Sequence, residues 1–132
     1  MNGVTVMQAL LLAHGPLTAI VGKSVCAGPV ENELPAVGIK EISRVERATV
    51  ANDGPATLVT ARIQVTVYAR DYRQQKAMLL AAKLGSGVHT GLIAGAQVRS
   101  VLRDMVGPDM GDPSIKTFEQ SRDFKVTYLE QN

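Results

Sequence analysis

The chain has 132 residues, of which 45% are hydrophobic and 20% charged, with a formal net charge of +2. That balance excludes a wholly disordered chain, and with no run of Lys or Arg it offers no dedicated nucleic-acid patch. A single domain is expected, with a core built from Val, Leu, Ile, Ala and Met, because Trp is absent and aromatics make up only 4%.

The first predicted element is a helix over Val4 to His14, with Val4, Met7, Leu10 and Leu11 near one face and Gly15-Pro16 as its stop. Its apolar run, Val6 to Ala13, has no basic leader and is too short to span a bilayer, so it is a core helix. Pro16 suits the first turn of a short second helix, Leu17 to Val21, ended by Gly22. Gly28-Pro29 and Leu34-Pro35 make Lys23 to Pro35 irregular, with at most a short strand near Val25.

Ala36 to Thr49 reads as a strand in which Val37 and Ile39 alternate; the phase slips at Glu41-Ile42, which a bulge explains. Asn52-Asp53-Gly54-Pro55 is turn chemistry and joins it to the next strand as a hairpin. From Leu58 to Ala69, apolar residues fill every odd position, the pattern of a half-buried strand. The run Thr57–Ala69 would span roughly 43 Å at ~3.3 Å per residue, against about 36 Å for the diameter of a domain this size. The hairpin is therefore expected to bend or to project as an arm.

Asp71, with Gln74 three residues on, caps a helix that carries Ala77, Met78, Leu80, Ala81 and Leu84. Gly85-Ser86-Gly87 breaks it, and Val88, Leu92 and Ile93 keep a helical beat to Gly95. Ala96 to Val106 is a strand. Gly107 to Ser114 is a flexible loop, whose two prolines keep it out of a central strand. Ile115 to Leu129 closes the sheet, with Phe124, Val126 and Tyr128 alternating with polar residues. The predicted fold class is α+β: a mainly antiparallel sheet of about four strands with helices on one face, in the order α-α-β-β-α-β-β.

No reaction centre is evident. Gly22-Lys23-Ser24 matches the end of a phosphate-binding loop, but the required upstream glycine is Leu17 and the segment follows a helix. His14, His89 and Cys26 have no companions at metal spacing, and the one cysteine rules out an internal disulfide. Asp109 and Asp112 share a loop, but Gln120 stands where a calcium loop needs its closing Glu. No enzyme activity, metal or cofactor is expected. The stripe Arg62, Gln64, Thr66 and Tyr68 is a solvated sheet face unless a partner covers it.

Several strings, taken in this order, carry a family resemblance. They are Ala9-Leu10-Leu11-Leu12-Ala13 followed by Leu17-Thr18-Ala19-Ile20-Val21-Gly22, and Glu33-Leu34-Pro35-Ala36-Val37. The most specific are Ala61-Arg62-Ile63-Gln64-Val65-Thr66-Val67-Tyr68-Ala69-Arg70-Asp71-Tyr72 and the closing Ser121-Arg122-Asp123-Phe124-Lys125-Val126-Thr127-Tyr128. With them the chain resembles the phage tail-completion or head-tail joining proteins, related in fold to tail terminators. The resemblance implies a non-enzymatic subunit of a homo-oligomeric ring, commonly a hexamer, in the virion neck. Such a ring sits on the tail tube protein, docks the head connector and lets DNA pass without reading its sequence, after assembly in the host cytoplasm. Arg44, Glu46, Arg47, Asn52 and Asp53 on the hairpin, Arg62 on its stem, and Asp109 and Met110 on the loop are the expected interface residues. A different connector or minor tail component, or a small ligand-binding or regulatory domain, is the alternative.

Overall fold

The computed structural model describes residues 3–28, 30, 33–47, 56–85 and 89–131. Its centre is β3 (Ala56–Ala69), whose odd-numbered side chains Val59, Ala61, Ile63, Val65, Val67 and Ala69 are all fully buried. Strict alternation sends these residues to one sheet face, where burial of Val and Ile stabilises the fold by about 1.5–3 kcal/mol per side chain. β7 (Thr117–Gln131) runs antiparallel to β3 along its whole length, from Ala56 opposite Gln131 to Ala69 opposite Phe118. Its Phe124, Val126 and Tyr128 join the same buried face.

The helices cover that face. α1 (Gly3–Leu12) contributes Val6, Met7 and Leu11 to the core, and α2 (Gly15–Val21) contributes Leu17 and Val21. The two meet at 85°, broken at His14, and Gly22 ends α2 at φ 61° with its N–H donated to the Thr18 carbonyl. A left-handed position of this kind suits glycine. α3 (Tyr72–Ala81) starts as its sequence predicts: Asp71 accepts the Gln74 N–H at 2.7 Å, and Gln74 Oε1 accepts the Arg70 N–H at 2.9 Å. Leu84 and Gly85, at φ 65° and 69°, turn the chain away after it.

The sheet is larger and less uniform than four antiparallel strands. Seven strands lie in the order β1-β2-β3-β7-β5-β4, with β6 also on β7. β2 (Ala36–Arg47), β3, β5 (Ala96–Val106) and β7 are the four expected strands. The other three are short. β1 (Val25–Ala27) pairs parallel with β2, which makes the sheet mixed. β4 (Gly91–Ile93) forms a hairpin with β5 through Ala94 and Gly95, both at positive φ. It replaces the helical segment expected there, since a turn of this geometry returns Leu92 and Ile93 along β5 instead of winding them onward. β6 (Met110–Asp112) pairs with β7 inside the segment expected to be a loop.

The slip expected in β2 is present: pairing with β3 shifts between Glu41 and Ser43. Before it, Ala36 to Ile39 are buried; after it the strand is largely exposed. The hairpin expected to bend or project is backed on its β3 half by β7 along its whole length, so among the described residues it is the far half of β2 that lacks a neighbour on its outer side. The turn Asn52–Pro55 lies outside the described residues.

Candidate functional site

The expected interface residues fall into three groups. Arg44, half-buried, and Glu46, exposed, stand on the helix-side face of β2, opposite Ala61 and Val59. The Arg44 guanidinium is hydrogen-bonded to Glu130 on β7 and lies 3.3 Å from Glu46. The Glu130 bond raises the Arg44 pKa further, so the cation is permanent. Arg47 is exposed at the end of β2, while Asn52 and Asp53 lie outside the described residues.

Arg62 belongs to the opposite sheet face. It donates from Nε and Nη2 to Asp123, at 2.9 and 2.6 Å, and its Nε lies 3.7 Å from Asp104. Asp123 is only 4% exposed, so this cation compensates a carboxylate that would otherwise be buried without a partner. The flanking pairs Thr60–Thr127 and Thr66–Ser121 are hydroxyl contacts of 3.0 and 2.8 Å across the same two strands.

Asp109 and Met110 sit where the chain passes the start of α3, and they are tied down. Asp109 accepts hydrogen bonds from Tyr72 at 2.8 Å and from Lys76. Lys76 also reaches Gln120 Oε1 at 2.9 Å, and Gln120 donates to the Gly107 carbonyl at 2.9 Å. Gln75, fully buried, donates to the Glu119 carbonyl at 2.5 Å. The 107–112 segment is thus a strap latched to α3, with the Met110 side chain exposed. These bonds hold the Asp109 pKa below its ordinary value, the Lys76 ammonium contributing most. Nothing in the local composition marks the strap; its partners on α3 lie 33 to 37 residues away in sequence.

The residues set aside for chemistry remain apart. Lys23 lies in the exposed turn after α2, and Cys26 is half-buried on β1. Among the described residues no group of three or more metal-ligating side chains converges. His14 lines an open cleft of about 640 Å³ between α2 and α3, with Ile20, Leu80, Lys83 and Arg103. No stretch of sequence marks this cleft, because its walls come from separate elements.

Two further charged groups become visible only in the folded sheet. Glu41 stands at the outer edge of β2 on the helix side, in the row Glu41–Ile63–Phe124–Arg103 that crosses the sheet to β5. Arg103 occupies the other end of that row and depresses the pKa of nearby Arg122, whose partial burial is the larger cause.

No family model matches the chain, and no curated protein matches it in sequence. Among solved structures it is similar to a chain from the virion of a native gene transfer agent (GTA) particle, with TM-score 0.66 and 14% identity over 94% of this chain and 92% of that one. The chain therefore shares its α+β fold with that chain over almost its whole length.

Proposed function

We propose that this chain is a structural subunit of a phage-like virion that assembles as a ring at the head-proximal end of the tail. In that position it completes the tail, joins it to the head connector and leaves a passage for DNA. The observation that carries the proposal is the near end-to-end fold match to a chain of a gene transfer agent virion. The strand-to-helix and closing strings, which resemble tail-completion proteins, independently point to the same class.

A hexameric ring, contacts to the tail tube and the head connector, and a non-enzymatic role are parts of the same proposal. Deleting residues 50–55 is expected to leave a folded subunit, because the deletion stops short of the β2–β3 ladder, yet to give particles in which heads and tails stay separate. Normal joining by that deletion variant would count against the hairpin as a contact surface. Absence of the chain from purified particles would sink the proposal as a whole.

The cleft between α2 and α3 favours a second reading, a small ligand-binding domain, because its volume of about 640 Å³ is in the range of small-molecule sites. A ligand that raises the melting temperature of the wild type and not of a Leu80→Glu variant would support it.

A further inference from the structure

Among the described residues the sheet ends in two partly open edges. On one side, the Val37 N–H donates to the Ser24 carbonyl and the Gly28 N–H to the Ile39 carbonyl, at 2.9 and 2.7 Å, and no described strand lies beside β2 past Ile39. Antiparallel alternation, carried through the bulge, turns the backbone N–H and C=O groups of Glu41, Arg44 and Glu46 to that open side. On the opposite side, β4 covers β5 only as far as Val98, and Arg99 to Val106 have no described outer neighbour. β1 and β4 thus shield diagonally opposite corners and, among the described residues, leave one long edge free on each flank. Such edges are templates for another strand.

We infer that the open edge of β2, 41–47, docks against the open edge of β5, 99–106, of a second copy of this chain, antiparallel and repeated head to tail. Strand direction supports it. β2, β3, β7 and β5 alternate in direction, so continuing the sheet into a neighbouring copy sets β2 antiparallel to β5. Charge supports it too. On the helix-side face the β2 flank carries Glu41 and Glu46 with the single cation Arg44, which is already bonded to Glu130 of β7, whereas the β5 flank carries Arg103 beside Arg122. Glu41 and Arg103 share one row of the sheet, and neither has a salt bridge among the described residues. Apolar side chains complete the match, with Ile42 and Val45 exposed on β2 and Leu102, Met105 and Val106 on β5. Two unlike edges joined this way give a heterologous contact, which closes into a ring when the rotation per copy divides a full turn.

This inference rests on the ring proposed above and supplies the contact that builds it. The test measures assembly of the full chain by sedimentation and native mass spectrometry at low salt, for the wild type and three variants. Glu46→Pro removes an outward N–H and leaves the β3 ladder intact. Arg103→Glu reverses an exposed charge, and Glu41→Arg with Arg103→Glu exchanges the pair. Each single change is expected to raise the concentration for half-assembly by about tenfold or more, with an unchanged far-UV spectrum, and the exchanged pair is expected to recover most of it. Should Glu46→Pro fail to fold, Arg103→Glu and its exchanged partner decide the matter. Rings that assemble equally well in Arg103→Glu and Glu46→Pro overturn the edge contact and leave the ring standing; a wild-type chain that forms no oligomer overturns the ring, and the edge contact with it.

Discussion

Arg62 donates two hydrogen bonds to one oxygen, Oδ2 of Asp123, across the β3–β7 ladder on the face away from the helices. The carboxylate is buried while the Arg62 side chain is 36% exposed, so the two partners are unequal. Removing the cation strands a buried charge; neutralising the acid leaves an acceptor that still takes a hydrogen bond.

Arg62→Met is therefore expected to cost about 1–3 kcal/mol, below the range for fully buried pairs because water still reaches the guanidinium. Asp123→Asn should cost less. Urea denaturation of both variants checks the order, and equal stabilities for Arg62→Met and the wild type would show that the pair is not a source of stability.

Gly3 sets how closely α1 approaches the sheet. A Cβ there would meet Ile63 Cδ1 at 2.8 Å and Ala61 Cβ at 3.2 Å. Gly3→Ala is expected to destabilise by about 1–2 kcal/mol through this overlap. In an Ile63→Val background, which removes the Cδ1 methyl, the same change should cost measurably less. A double-mutant cycle by denaturant titration reads the coupling directly.

The strap over α3 should respond to pH in two directions. Asp109, with a depressed pKa, contributes fully above its unfolded value of 3.8 and loses that contribution as pH falls through the lower folded value. Lys76, with a raised pKa, contributes fully below 10.5 and loses it as pH rises through the higher folded value. Amide exchange in 107–112 is thus expected to be slow between about pH 4 and pH 10 after correction for the intrinsic pH dependence, and faster outside that window. Asp109→Asn should loosen the strap without unfolding the chain, and protection unchanged in that variant would show that the hydrogen bonds do not hold it.

What was legible in the sequence follows from the range of the forces. Alternation in 58–69 and 124–128 located the two central strands, because each buried face is written in the strand's own residues. The bulge near Glu41 and the cap at Asp71 were equally local signals. β4 and β6 were not legible. At three residues each they have no periodicity of their own, and they exist because β5 and β7 present edges to pair with. The same limit applies to the charged groups. Arg44, Arg62 and Asp109 were singled out as contacts, yet their partners Glu130, Asp123 and Lys76 stand 86, 61 and 33 residues away. Only pairing of the strands shows Glu41 and Arg103 at opposite ends of one row. The expected contact role of the Arg62 and Asp109 side chains now has to coexist with bonds inside the subunit, whereas parts of the β2 and β5 edges have no described neighbour.

The most direct measurement is electron cryomicroscopy of intact particles from the source of this chain. A closed ring of copies at the junction of tail and head, with β2 of each copy beside β5 of the next, is the expected result. The chain absent from the particles, or located in them as isolated subunits away from the tail's head-proximal end, would contradict it.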